Sequence, residues 1–206
     1  MKVALIGGTG GFGMALAVRL REAGYAVVIG SRDAERAAAA AAELGVAGAT
    51  NEEAARDADL VVLTTKADGA VETARSLRDA IGTTPVLSVA AELSFTKGGV
   101  YPTSEPTSVA QRVQAVIDGP VVAALHSLAA ANLGGEVAPD EDTLVCGDDA
   151  AAKAIVLELA GAVTSGRAID AGPLASARAL EGMTAVIVNV NKRYKAHAGL
   201  RVTGIH

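Results

Sequence analysis

Lys2-Val3-Ala4-Leu5-Ile6-Gly7-Gly8-Thr9-Gly10-Gly11-Phe12-Gly13 is the stretch that decides the fold. After Lys2 it is apolar without alternation, the pattern of a short strand covered on both faces. It runs straight into Gly-x-Gly-x-x-Gly, placed as Gly8, Gly10 and Gly13, and a helix fits Phe12 to Ala23. Each glycine has a physical use: a tight turn, close approach of backbone to a pyrophosphate, and close packing of helix on strand. The helix start adds amide donors and a dipole that favours negative charge. A glycine pattern alone is weak, but one that ends a strand and opens a helix has the context a dinucleotide site requires.

Further along, short Val/Leu/Ile runs predict strands at Ala26–Ile29, Leu60–Leu63, Val86–Ser88, Val121–Ala124, Thr143–Cys146 and Arg167–Ile169. Between them, helices fit Ala34–Leu44, Ala67–Ala80, Thr107–Ile117 and Asp149–Ala160, and a last one runs from about Pro173 to Ala196. Asp33 is placed to cap the second helix, and Pro173 sits where a first helical residue belongs. This alternation predicts an α/β fold: a doubly wound, mostly parallel Rossmann sheet with a short C-terminal helical extension. Residues 90 to 106, with Gly98, Gly99, Pro102 and Pro106, read as one long irregular loop.

The second strand ends at Ile29-Gly30-Ser31-Arg32, with Arg36 about one helical turn on. An NAD site places a carboxylate here for the ribose 2′-hydroxyl, and a carboxylate repels a 2′-phosphate. A hydroxyl and two guanidinium groups suit that phosphate instead, which predicts NADP. The expected division is therefore residues 1–172, an NADP-binding domain with the second-substrate region, and 173–206, a C-terminal helix packed on it.

Composition narrows the function classes. With 206 residues, 50% hydrophobic and only 2% aromatic, the chain fits one domain with a core of Ala, Val, Leu and Ile. A net charge of −5 gives no reason to expect nucleic acid or an anionic membrane as partner. The apolar start is too short for a signal peptide, and the stretch around Val121–Leu133 is broken by His126, Ser127 and Asn132. The single cysteine, Cys146, suits a reducing cytoplasm and reads as a small buried hydrophobe.

A Rossmann domain does not name a reaction. There is no Tyr-x-x-x-Lys pair, no large helical substrate domain and no metal-ligand spacing. His126 follows the fifth predicted strand, where ligands bind in such folds, and reads equally as a proton donor or a loop anchor.

Taken together, the motifs resemble the family of NADPH-dependent reductases of coenzyme F420, a deazaflavin. The resemblance runs over nearly the whole chain. It rests on Gly7-Gly8-Thr9-Gly10-x-x-Gly13, Gly30-Ser31-Arg32, Ala124-Leu125-His126, Val145-Cys146-Gly147-Asp148-Asp149 and Asp170-Ala171-Gly172-Pro173-Leu174. It implies a small dimeric enzyme in which nicotinamide and deazaflavin stack for direct hydride transfer. It further implies that Thr9, Ser31, Arg32 and Arg36 hold NADP beside Gly8, Gly10, Gly11, Phe12 and Gly13. Thr64 and Thr65 would lie at the nicotinamide. Lys66, His126, Ser127, Leu128 and Ala129 would lie near the deazaflavin. The chain departs from the family pattern at two places: Thr64-Thr65-Lys66 stands for a proline and a bulky residue, and Ser127–Ala130 lacks a proline.

The leading expectation is hydride transfer between NADP(H) and F420. Two others stand beside it: NADPH-dependent reduction of a small imine or carbonyl, with His126 as proton donor, and a non-enzymatic NADP(H)-sensing module. The last helix is apolar on more than one side, through Leu174, Leu180, Met183, Val186, Ile187 and Val190, which predicts packing partly against a second subunit.

Overall fold

The computed structural model describes residues 1–205, and in it the apolar runs become the strands of one sheet. The first half holds β1 (Lys2–Ile6), α1 (Gly11–Glu22), β2 (Ala26–Ser31), α2 (Ala34–Leu44), β3 (Ala47–Thr50), α3 (Asn51–Arg56), β4 (Leu60–Leu63), α4 (Ala67–Ser76), α5 (Arg78–Ile81) and β5 (Val86–Ser88). The second holds β6 (Leu93–Thr96), β7 (Gly99–Pro102), α6 (Val109–Gln114), β8 (Val121–Ala123), α7 (Ala130–Leu133), β9 (Thr143–Gly147), α8 (Ala150–Val163), β10 (Ala168–Asp170) and α9 (Ala177–Tyr194).

Eight strands lie in the order β10-β9-β8-β5-β4-β1-β2-β3, and the expected doubly wound, mostly parallel sheet is the one observed. Within this sheet, among the described residues, only the β8–β9 pairing is antiparallel, so β9 and β10 run against the rest. β1 pairs with β2 on one side and β4 on the other. The chain therefore winds out to β3 and crosses back to β4, opening a crevice at the carboxyl ends of β1 and β4. Alternate residues of β1 serve opposite layers. Val3 and Leu5 pack with α1 and α8, whereas Ala4 and Ile6 pack with α3, α4 and α6.

Side-chain caps fix the helix starts. Asp33 accepts from the amides of Glu35 and Arg36 at 2.9 and 3.2 Å, and Asp149 from that of Ala152 at 2.8 Å. Thr50 with Glu53, and Ser108 with Gln111, form reciprocal capping boxes. Buried Arg19 ties α1 to the loop after α7, donating to the carbonyls of Leu133, Gly135 and Val137.

Several expectations need correction. The helix expected over Ala67–Ala80 is broken at Leu77 into α4 and α5. The last α-helix begins at Ala177 rather than Pro173, which instead precedes a 3-10 turn at Leu174–Ser176. The stretch from 90 to 106 is no plain loop, because β6 and β7 form an antiparallel hairpin with Leu93 opposite Pro102. Edge strand β3 and helix α3 were not anticipated: Ala47-Gly48-Ala49-Thr50 has almost no apolar bulk to signal a strand. Leu174, Ala177 and Leu180 join the same core layer as β4 and α6, so the C-terminal segment is built into the domain's core.

Glu181 of α9 is only 1% exposed, and its Oε1 accepts from the Ala110 amide at 3.3 Å, at the start of α6. Burial pushes its pKa up to about 7 from 4.5, with the amides of Ala110 and Val109 opposing in part. Folding thus favours the protonated carboxyl. Its contribution to stability falls as pH rises from about 4.5 to about 7 and stays low above that. Glu181→Gln keeps the acceptor and removes the charge. Its melting temperature should match the parent near the acid end of that window and exceed it at about pH 8. Equal melting temperatures at the higher pH would contradict this.

Candidate functional site

The glycine-rich turn is held by backbone contacts that exclude side chains. Gly7 has φ +72°, and the Gly8 amide donates to the carbonyls of Leu5 and Gly30, both at 3.0 Å. A Cβ on Gly13 would lie 2.6 Å from the Gly8 oxygen, and one on Gly8 would lie 2.7 Å from the Leu5 oxygen. These two glycines let α1 press against β1. Gly10 and Gly11 differ, since a Cβ on Gly11 would meet nothing within 4 Å and one on Gly10 only the Gly7 oxygen at 3.8 Å. Packing does not require glycine there, but a ligand lying on the turn would. Gly10 is the N-cap of α1 and contributes no side-chain cap, so no side chain competes with an anion for the first amides.

Around this turn lies a cleft of about 810 Å³, lined by Thr9, Gly10, Ser31, Arg32, Arg36 and Asn51, with Thr64, Thr65 and Lys66 on its far wall. Ser31 is buried at the end of β2, and Arg32 and Arg36 are exposed beside it. Asp33 also borders the cleft, but its carboxylate is engaged by the first amides of α2. The two guanidinium groups of Arg32 and Arg36 thus outnumber the one carboxylate at this end.

A second cleft of about 700 Å³ adjoins the first, and the two share Thr64, Thr65, Lys66 and Asp68 at the end of β4. Its walls are mostly apolar: Phe12, Val89, Leu93, Phe95, Leu125 and Leu128. Phe12, an expected nucleotide contact, borders this second cleft. Thr64 spends its hydroxyl on the Ile6 carbonyl at 2.8 Å, while the buried Thr65 hydroxyl has no partner among the described residues. Lys66 is exposed and borders both clefts.

His126 is the buried titratable group of the second cleft. Leu125 before it sits at φ +66°, a left-handed conformation that costs a leucine on the order of 1–3 kcal/mol and marks a constrained turn. Thr184 of α9 donates to the His126 carbonyl at 2.9 Å. Among the described residues, neither ring nitrogen of His126 has a hydrogen-bond partner. Burial pushes its pKa down to about 4; the Ala90 backbone opposes this only in part and lies outside hydrogen-bond geometry of either nitrogen. The ring is neutral at neutral pH. Leu128 borders the same cleft, whereas Ser127 turns toward the Asp142 carbonyl at 3.5 Å and Ala129 is the N-cap of α7, lining neither cleft.

The two downstream motifs are scaffolding that meets itself. The Gly147 amide donates to the Gly172 carbonyl at 3.1 Å, and Asp148 accepts from the Leu174 amide at 2.9 Å. Asp170 accepts from the Gly172 amide at 2.8 Å and pairs with Lys153 at 2.9 Å. Together they fix where α9 starts. That helix presents Thr184 to His126 and clamps the hairpin through Asn189, which accepts from the Val100 amide at 2.8 Å and donates to its carbonyl at 2.7 Å. Sequence reasoning missed Asn51, Phe95, Thr184 and Asn189, whose roles arise from contacts across 44 to 89 residues or from the unforeseen hairpin. The Cys146 thiol is buried and pushed up to about 11, as suits a core residue.

Comparison with known proteins adds sequence and structural relatives. The family model described as NADP oxidoreductase, coenzyme F420-dependent, matches residues 2–92. The F420-dependent NADP reductase of Methanothermobacter marburgensis is 35% identical over 222 residues, spanning 100% of this chain and 99% of that protein. The one from Methanocaldococcus jannaschii is 34% identical over 227 residues, with the same coverage of 100% and 99%. A crystal structure described as that of an F420-dependent NADP-reductase from Arthrobacter sp. FB24 superposes with a TM-score of 0.86 at 26% identity, covering 99% of this chain and 100% of that one. A pyrroline-5-carboxylate reductase from Coxiella burnetii, at 15% identity and a TM-score of 0.60, covers 82% of this chain and 58% of its own, a likeness of fold alone.

Proposed function

The chain belongs to the family of F420-dependent NADP oxidoreductases, and from that premise we propose that its two clefts seat NADP(H) and the deazaflavin F420 face to face. The observation that carries this reading is the shared floor: Thr64, Thr65, Lys66 and Asp68 border both clefts. In the first cleft, the free amides of α1 take the pyrophosphate, and Ser31, Arg32 and Arg36 take the 2′-phosphate. The open space over Gly10 and Gly11 and the unpartnered Thr65 hydroxyl fit a nucleotide lying there. In the second, the apolar walls suit a flat ring, with neutral His126 as its hydrogen-bonding group.

When both are bound, NADP(H) and F420 supply the redox chemistry, a hydride passing from one ring to the other. The protein's part is alignment and exclusion of water. Holding two reactants in register is worth on the order of 7–11 kcal/mol of a barrier. Reduction of a small imine or carbonyl would need an acid at the reacting atom, and His126, neutral at working pH, is poorly suited to that role. A purely nucleotide-sensing role would leave the second cleft without a use.

We infer in addition that the enzyme works in the cytoplasm as a homodimer. Val186, Val190 and Tyr194 are exposed on α9, next to a hairpin that exposes Phe95 and Tyr101, an apolar face of the kind subunits cover. The free Cys146 thiol suits a reducing compartment. Sedimentation at micromolar concentration should give a dimer, and a strict monomer would contradict this. The activity is tested by mixing the protein with NADPH and oxidised F420 and following the deazaflavin absorbance. Rapid loss with NADPH and little with NADH is expected. No loss despite NADPH binding would overturn the reading.

A further inference from the structure

Asn51 stands outside every motif in the sequence, yet it sits where the two phosphate-reading parts of the first cleft meet. It follows Thr50, which lies opposite Ser31 in the pairing of β3 with β2. The side chain is buried, and its Oδ1 accepts from the Gly7 amide at 3.1 Å, at the head of the glycine turn. The next amide, that of Gly8, is taken by the Gly30 carbonyl at 3.0 Å. Gly30 makes room for the arrangement, since a Cβ there would lie 2.9 Å from Asn51 Oδ1. One side-chain amide thus bolts the pyrophosphate loop to the strand ends that carry Ser31 and Arg32.

The Gly7 N–H can only donate, so the atom facing it must be the amide oxygen, and Nδ2 with its two hydrogens faces the other way. Asn51 borders both the nucleotide cleft and an adjoining pocket of about 330 Å³ that also meets Ser31, Arg32, Thr50 and Thr73. Among the described residues, the hydrogen bond of the Asn51 side chain is the one Oδ1 accepts from Gly7, which leaves Nδ2 open to a ligand. We propose that Asn51 is a specificity-determining residue for NADP(H), its Oδ1 holding the loop and its Nδ2 donating to the ribose phosphate at the adenosine end. The inference rests on NADP(H) occupying the first cleft. An aspartate would still accept from Gly7 but would turn a carboxylate oxygen toward the nucleotide. That oxygen would accept from the ribose hydroxyls of NADH and repel a 2′-phosphate.

Calorimetric titration with NADPH and with NADH tests this without any deazaflavin, so the result is independent of the second substrate. Asn51→Asp should weaken NADPH by about tenfold or more while NADH stays within about threefold of the parent, with the melting temperature largely kept. Asn51→Ser, too short to reach the Gly7 amide and without the Nδ2 donor, should weaken both nucleotides and NADPH by the larger factor. Equal losses or no loss in Asn51→Asp would overturn the proposal. Should that variant fail to fold, Asn51→Ser decides alone: undiminished binding or equal losses of the two nucleotides overturn the proposal, and a larger loss for NADPH supports it. A parent protein that binds neither nucleotide would sink the NADP reading itself, a result distinct from either.

Discussion

The contact between α1 and the end of β1 is the constraint on which the rest of the molecule hangs. At Gly8 and Gly13 a single added carbon would fall within 3 Å of backbone atoms, so the helix can lie this close only because both residues lack side chains. The close approach aims the first amides of α1 at the crevice between β1 and β4. It also brings Gly7 against Thr65, whose methyl would lie 2.6 Å from a Cβ on Gly7. The glycine turn and the end of β4 are therefore one surface. That surface is where the two clefts join, so on the proposed function one packing arrangement would set both nucleotide binding and transfer.

The second half of the site depends on a longer chain of contacts. Asp148, Gly147, Asp170 and Gly172 fix the start of the C-terminal segment; α9 then holds the hairpin through Asn189 and the His126 carbonyl through Thr184. Leu125, in its left-handed conformation, sits at the bend. The result is a histidine kept dry and neutral beside apolar walls. On the proposed function such a ring would serve hydrogen bonding and shape rather than acid catalysis, in keeping with a reaction whose two partners bring their own chemistry.

How much of this was readable in advance follows from what each part of the chain depends on. The glycine turn, the Ser31-Arg32 pair and the Asp33 cap declare themselves because they act through their immediate neighbours in sequence. The parallel strands do so because burial on both faces leaves them uniformly apolar. By contrast, the hairpin of β6 and β7 was hidden by its glycines and Pro102, and it keeps its place through Asn189, a partner 89 residues away. Asn51 and Thr184 are ordinary polar residues in helical stretches, and only the fold shows what they face. Within the expected second-substrate stretch, Leu128 borders the cleft while Ser127 and Ala129 do not, a distinction that depends on the direction of the chain after the Leu125 bend.

The central claim is that two clefts with one floor bring two redox rings into direct contact. The most direct measurement uses NADPH carrying deuterium at the transferred position of the nicotinamide, with the reduced deazaflavin analysed by mass spectrometry immediately after one turnover. Contact between the rings predicts that the label arrives on the deazaflavin without loss to water. Deuterium found in the solvent, with unlabelled reduced deazaflavin, would contradict the account.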